Sequence, residues 1–361
     1  MVACTMVACK HDNSGSNIET IDINDCFEYE QLDIVRKKYA YDGRVIKLET
    51  NDDCLLKYGG RYFFSDNRIF VGQETVYIFD FEGHFINKLK SGNGPGEIAK
   101  YEAVDFDVET NELVVFQYPY MKFYTQDGVF LREQKSPYFF SDIKVVEGGY
   151  ILQSDGGYMQ CEKNPEATLL VVDKNMNLIS AHIDRIERFM YHDMKACFDT
   201  KTKEAIIPNW NDTIYSLCNH LFVPKYKIDY SSNKFDYTKK DYESWSAEEE
   251  LHYSWWWYFE TSTHQLFSFL KGGMRFSVFR DKINGKLLTG KLRNRDELFN
   301  IMPDATFNDY FVSVKQYEDI EKFEKLDLFS PEDLAKINNQ KEDDNPLLIF
   351  FKLKPFDEDE K

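Results

Sequence analysis

The sequence lacks most of what would tie it to nucleic acid, to a bilayer interior or to a known catalytic centre. It carries 44 lysines and arginines against 62 aspartates and glutamates, a net charge of −18. A surface of that sign repels phosphate backbones and anionic headgroups, which excludes nucleic acid and leaves a membrane reachable only through a lipid anchor. No run is long and apolar enough to cross a bilayer as a helix. The seven cysteines contain no C-x-x-C pair, against zinc-ribbon or thioredoxin chemistry, and their wide scatter is not a disulfide framework. G-x-S-x-G and H-E-x-x-H are missing, and no Ser-x-x-Lys arrangement comes with its partner motifs. The seven histidines never fall as H-x-H or at helix-ligand spacing.

Aromatic residues, in contrast, are plentiful. Thirty Phe, 23 Tyr and 5 Trp make up 16% of the chain, a share that favours strands and supplies a large core. From residue 44 onward short β-rich runs alternate with turn signals: "RVIKLET", "RYFFSD", "RIFVGQ", "TVYIFD". Hairpins recur at Glu82-Gly83, Asp127-Gly128, Asn175 to Asn177 and Asn284-Gly285, where Gly and Asn tolerate positive φ. The first three stand close to the roughly 40–50-residue spacing of a propeller blade, and the gap between residues 176 and 285 leaves room for another. "AIIPNWNDTIYSLCNHLFVPKYKIDY" supplies a further blade around Asn211-Asp212, and "ATFNDYFVSVKQY" with "LLIFFKLK" a sixth. Between the last two, "SPEDLAKINNQ" predicts a helix with Ser330 as N-cap and Pro331 at its first position. "YTKKDYESWSAEEELH" predicts another. These repeats are degenerate, and on the residues alone a β-sandwich competes with a propeller.

The glycine-dense "GNGPGE" at 92–97 raises the question of a phosphate cradle, which its chemistry answers. Pro95 removes a donor, Glu97 puts a carboxylate where the anion would sit, and the strand-like "AVDFDVE" follows instead of a helix. The segment reads as a tight connection between strands.

Four stretches in order, "VIKLET", "GNGPGE", "NDTIYSLCNHLFVPKYKIDY" and "SPEDLAKINNQKEDDNPLLIFFKLK", resemble the six-bladed β-propeller lipoproteins of Bacteroides-type bacteria, relatives of the NHL-repeat propellers. The resemblance implies an all-β, six-bladed β-propeller with short helical insertions and gives the Gly-Pro-Gly segment the task of joining one blade to the next. It implies no activity. The expected organisation is a tether at 1–17, one propeller domain at 18–355 and a solvated acidic tail at 356–361.

Candidate sites are few. "DFDVETNE" places Asp105, Asp107, Glu109 and Asn111 at alternate positions, as a calcium loop does, but Thr110 stands where the glycine belongs and Phe116 where the last glutamate belongs. A strand with these residues facing solvent is the expectation. No cofactor motif is present; a divalent cation on the propeller axis would have to be assembled from several blades, as in calcium-dependent lactonases of that fold. "HYSWWWYFETS" sets Trp255 and Trp257 to one side of a strand and Trp256 to the other, and "FQYPYMKFY" offers Tyr118 and Tyr120. Core packing between blades is the plainer role for the tryptophans; a platform for sugar rings is the functional one. The expected function is therefore a non-enzymatic, monomeric binding or scaffolding module that meets an envelope protein or a glycan. The alternative is a metal-assisted hydrolase or lyase with an axial site.

The N-terminal "TMVACKHDNSGSN" sets Met6, Val7 and Ala8 before Cys9 and follows it with a polar tether, as at the lipidated cysteine of a bacterial lipoprotein. That places the protein in the cell envelope, in the periplasm or at the outer membrane. If Cys9 bears the lipid, the native gene encodes an apolar segment upstream of Met1, the product partitions into detergent, and Cys9→Ser moves it to the aqueous phase. Partitioning that ignores the substitution refutes the anchor.

Overall fold

The computed structural model describes residues 18–24, 31–154, 161–162, 164–184, 197–199, 204–208, 212–230, 254–271, 274–292, 302–320 and 327–357. Local turn chemistry generates the repeat. Asp80, Thr125, Asp173 and Asp281 each end a strand, and the main-chain N–H of each donates to a carbonyl just past the turn. Their side chains then accept from a turn amide: Asp80 from His84, Thr125 from Val129, Asp173 from Asn175 and Asn177, Asp281 from Ile283. Gly83 takes φ +91°, and a Cβ there would stand 2.1 Å from the Lys47 carbonyl oxygen. Only glycine lets this turn rest so closely on the neighbouring strand.

Six sheets result, each built on four antiparallel strands, and one of them gains a parallel fifth. Blade 1 comprises Arg61–Phe64, Ile69–Gly72, Val76–Phe79 and Phe85–Lys88. Blade 2 is Ala103–Asp107, Glu112–Gln117, Tyr120–Thr125 and Phe130–Lys135; blade 3 is Asp142–Val146, Gly149–Gln153, Ala167–Asp173 and Leu178–Asp184. Blade 4 is Cys197–Asp199, Glu204–Pro208, Thr213–Cys218 and Leu221–Asp229; blade 5 is Ser254–Glu260, His264–Lys271, Met274–Asp281 and Leu287–Leu292. Blade 6 takes Ala305–Phe307, Tyr310–Lys315 and Leu347–Leu353 from the C-terminal part and its outer strand, Ala40–Lys47, from the N-terminal part. The first strands of successive blades neighbour one another and line the axis. This is the six-bladed β-propeller expected from the sequence.

Apolar side chains fill the spaces between blades rather than a single centre. Phe70, Ile78, Val104 and Tyr124 pack blade 1 on blade 2, Phe116, Phe140 and Leu170 pack blade 2 on blade 3, and Phe64, Val312 and Phe350 pack blade 6 on blade 1. Each sheet buries both faces this way, which is why its inner strands read as near-continuous apolar runs.

Closure joins the two ends of the described chain. Ala40–Lys47, which holds the start of "RVIKLET", pairs antiparallel with Leu347–Leu353 of "LLIFFKLK". The N-terminal segment does more, sealing outer edges. Glu19–Asp22 adds a parallel fifth strand to blade 4. Gln31 donates its N–H to Thr289 O and accepts from Thr289 N, capping blade 5. On blade 6 the helix Pro331–Asn338 serves instead: Asp333 accepts from Val45 N at 3.1 Å and Lys336 donates to Val45 O at 3.0 Å. Ser330 caps that helix as predicted, accepting from Asp333 N. Asn345, 1% exposed, ties the insertion down. Its side chain accepts from Leu56 N and donates to Glu49 O and Cys54 O.

Some expectations are corrected. Asp212 turns the chain between the two middle strands of blade 4, and the counterpart of the repeated hairpin is Asn219-His220, both with positive φ. The tail read from residue 356 as solvated begins with a buried side chain. Phe356 is 2% exposed, packs on Tyr39 and His264 at 4.8 and 4.9 Å, and donates its N–H to Asp281. The helix proposed at "YTKKDYESWSAEEELH" lies outside the described residues. Among those residues no helix is long and apolar enough to cross a membrane.

Two outcomes follow from this architecture. Deleting residues 345–361 removes the strand that hydrogen-bonds the two ends and leaves raw edges, so the variant should aggregate or lose cooperative unfolding; near-native melting would refute the closure. Burial holds His264 down to about 4, although Asp281 and the Lys354 backbone pull the other way. The folded form thus resists protonation, and stability that is full above pH 6.5 is lost as pH falls towards 4. Between pH 7 and 4.5 the wild type should lose about 2–3 kcal/mol more than His264→Gln, measured by denaturant titration at both pH values. Equal losses would show that His264 does not titrate in that window.

Candidate functional site

Because the strands of a meander alternate in direction, the connections inside and between blades fall on two opposite faces of the ring. One face carries the turn between the two middle strands of each blade and the loops from blade to blade. Tyr118 and Tyr120 sit there, on the middle turn of blade 2, and are 44% and 39% exposed. Tyr118 stands edge-on to Phe116 at 6.2 Å and to Phe139 at 5.5 Å. Beneath them Phe116 stacks on Phe140 at 3.7 Å, so the exposed ring rests on a packed aromatic base. Glu102 accepts from Tyr118 N, and Pro119 O accepts from Ser136 N, fixing the turn against both flanking loops. Tyr58, on the loop entering blade 1, is 83% exposed on the same face.

Among the described residues, the inner strands of blades 1 to 3 carry charges that pair with one another. Arg61 opens the inner strand of blade 1 and pairs with Asp142, which opens that of blade 3. Asp105, on the inner strand of blade 2, takes Lys144 at 3.0 Å and Val145 N at 2.7 Å. Burial works against the Arg61 charge, but Asp142 and Asp105 together raise its pKa. Tyr101 nearby is pushed up to about 12 by burial. Ile143, Ile151 and Leu169 floor the adjoining cleft, which holds about 280 Å³ of space including its open side.

Asp105 and Asp107 therefore depart from the solvent-facing strand expected for "DFDVETNE": they are 2% and 3% exposed. Burial alone would raise the Asp107 pKa, but Lys174 at 2.6 Å and two turn amides lower it. With each carboxylate matched to a cation, the pair resembles an inter-blade clasp more than a ligand set. Among the described residues no three His, Cys, Asp or Glu side chains converge on a common point. "GNGPGE" does connect blade 1 to blade 2, and Glu97 folds back to accept from Gly94 N, filling the concavity with its own carboxylate.

Trp255 and Trp257 lie in the inner strand of blade 5, opposite Phe269 and Ser268. The register shifts between them, so the strict alternation assumed for "SWWWYF" fails across the run. Their side chains, like Cys9, lie outside the described residues. Sequence reasoning missed Tyr58, although "YGG" marks an aromatic beside a flexible pair, and it missed Arg61 and Asp142, which carry no motif. It also missed Lys315, 1% exposed, which burial holds down to about 8 against the pull of Asp304 and Asp319. No substrate reaches an ammonium so enclosed without opening blade 6.

Among curated proteins none matches this chain. A "Putative exported protein" from Bacteroides fragilis has a similar structure, with a TM-score of 0.73 at 16% identity over 93% of this chain and 99% of that one. A protein of unknown function from Bacteroides caccae aligns with a TM-score of 0.42 at 10% identity, over 67% of this chain and 85% of the other. The first likeness is one of fold. The family model described as "Domain of unknown function (DUF4934)" matches residues 18–352, and the chain belongs to that family.

Proposed function

We propose that this protein is a non-enzymatic binding or scaffolding module of the cell envelope, held there by a lipid on Cys9 and taking a neutral, extended ligand, a glycan, on the loop face around Tyr118 and Tyr120. One observation carries this reading: the exposed aromatic turn of blade 2 is seated on packed aromatic rings, while the described inner-strand charges of blades 1 to 3 are paired with one another. Indole and phenol faces bury the apolar C–H surfaces of sugar rings, and a net charge of −18 disfavours polyanions. The structural neighbour described as exported is consistent with an envelope location. The alternative hydrolase or lyase would need axial carboxylates free to ligate an ion, whereas Asp105, Asp107 and Asp142 each face a lysine or arginine.

A glycan array on the wild type, followed by titration of Tyr118→Ala and Tyr120→Ala, tests the assignment. Each substitution should weaken binding by roughly 1–3 kcal/mol, by analogy with aromatic stacking on bases. Thermal stability should change little, since both rings are substantially exposed. Trp255→Ala and Trp257→Ala belong in the same panel: as platforms they lose binding, as core they lose roughly 3–5 kcal/mol of stability. An array without signal refutes the glycan, and variants that bind like wild type refute the site.

A further inference from the structure

Tyr58 is the most exposed large apolar side chain on the described surface, at 83%, yet the backbone that carries it is firmly held. On one side Leu56 N donates to Asn345, the buried hub of the blade 6 insertion, at 2.7 Å. On the other, the Gln73 side chain from the middle turn of blade 1 lies along the loop. Its Oε1 accepts from Lys57 N at 2.9 Å, and its Nε2 donates to Lys57 O at 2.6 Å and to Gly59 O. Lys57 and Glu74 pair beside it. Four hydrogen bonds thus fix residues 56–59 without burying the ring they display.

An exposed phenol contributes little to the core, so a dedicated clamp is unexplained by stability. Recognition gives it a use, because an aromatic carried on an already ordered backbone loses less entropy on binding. Tyr58 enters blade 1 and Tyr118 turns blade 2, the next blade round the ring, and both project from the same face. Two aromatic stations on consecutive blades suit a ligand that repeats along its length and presents a flat apolar face at intervals. A neutral oligosaccharide does so; a monosaccharide does not.

We propose that Tyr58 is a second binding residue of this face, stacking on one ring of an oligosaccharide whose other end lies on Tyr118 and Tyr120, with Gln73 as its positioning residue. This rests on the glycan-binding function proposed above. Contact at both stations makes the second binding event intramolecular, so affinity rises with ligand length until both are spanned.

The experiment is isothermal titration of the full chain with neutral cello-, xylo-, manno- and malto-oligosaccharides, each from disaccharide to hexasaccharide. Wild-type affinity should climb with length in at least one series. Tyr58→Ala should remove that climb, weakening the longest ligand about tenfold or more and leaving the disaccharide unchanged. Tyr58→Phe should keep it. Gln73→Ala should lose part of it, and should cost nothing further once Tyr58 is already Ala. All variants should melt with the wild type. A length dependence that survives Tyr58→Ala but collapses in Tyr118→Ala overturns this inference and spares the site on blade 2. A wild type that binds no saccharide overturns both.

Discussion

The pairing of Ala40–Lys47 with Leu347–Leu353 is the constraint on which the rest depends. A propeller has no centre to collapse onto. Its apolar surface lies between blades, and each blade is buried only while both neighbours are present. Opening one joint therefore exposes two sheet faces and a strand edge together. Blade 6 prevents this by drawing its strands from both ends of the chain, so the ring is locked by main-chain hydrogen bonds as well as by packing. Phe64, Val312 and Phe350 then complete the interface with blade 1.

That rigid ring explains how its two kinds of polar and aromatic surface divide the work. On the axis, Asp105 meets Lys144 and Asp142 meets Arg61. Asp105 is buried and the other three groups are partly so; such pairs return little net stability after desolvation, but removing one partner leaves the other charge unmatched. They fix the angle between blades 1, 2 and 3. On the loop face the investment is different. Phe116, Phe139 and Phe140 support Tyr118 from below, and Gln73 holds the loop that shows Tyr58. Charge is consumed inside, and aromatic surface is offered outside.

The fold was legible where a residue type is forced by backbone geometry. Gly83 and Gly128 announce hairpins because positive φ and close approach admit little else, and Ser330-Pro331 announces a helix start. Blade 4 was harder to place, because its hairpin uses Asn219-His220, whose positive φ has no glycine to advertise it. Burial of Asp105 and Asp107 was not legible. Alternating carboxylates look solvated unless the lysines opposing them, 39 and 67 residues away in sequence, are known to be in reach. The candidate site was legible at Tyr118 and Tyr120 because "YPY" is a turn carrying aromatics. Tyr58 was not, since its significance comes from Gln73 on a different turn.

The N-terminal segment, running along the edges of blades 4 and 5 before entering blade 6, divides the ring by sequence distance. Blades 1, 2, 3 and 5 pair only strands adjacent in the chain. Blade 4 recruits Glu19–Asp22 across some two hundred residues, as Tyr226 opposite Glu19 shows, and blade 6 recruits Ala40–Lys47 across three hundred, as Leu353 opposite Ala40 shows. Contacts between distant parts of a chain form late, because the loop they close must first be searched. Blades 1, 2, 3 and 5 can thus assemble from neighbouring strands as these are made. Blade 6 cannot be completed until Leu347–Leu353 reaches Ala40–Lys47, which leaves the edge of that early strand unpaired until then.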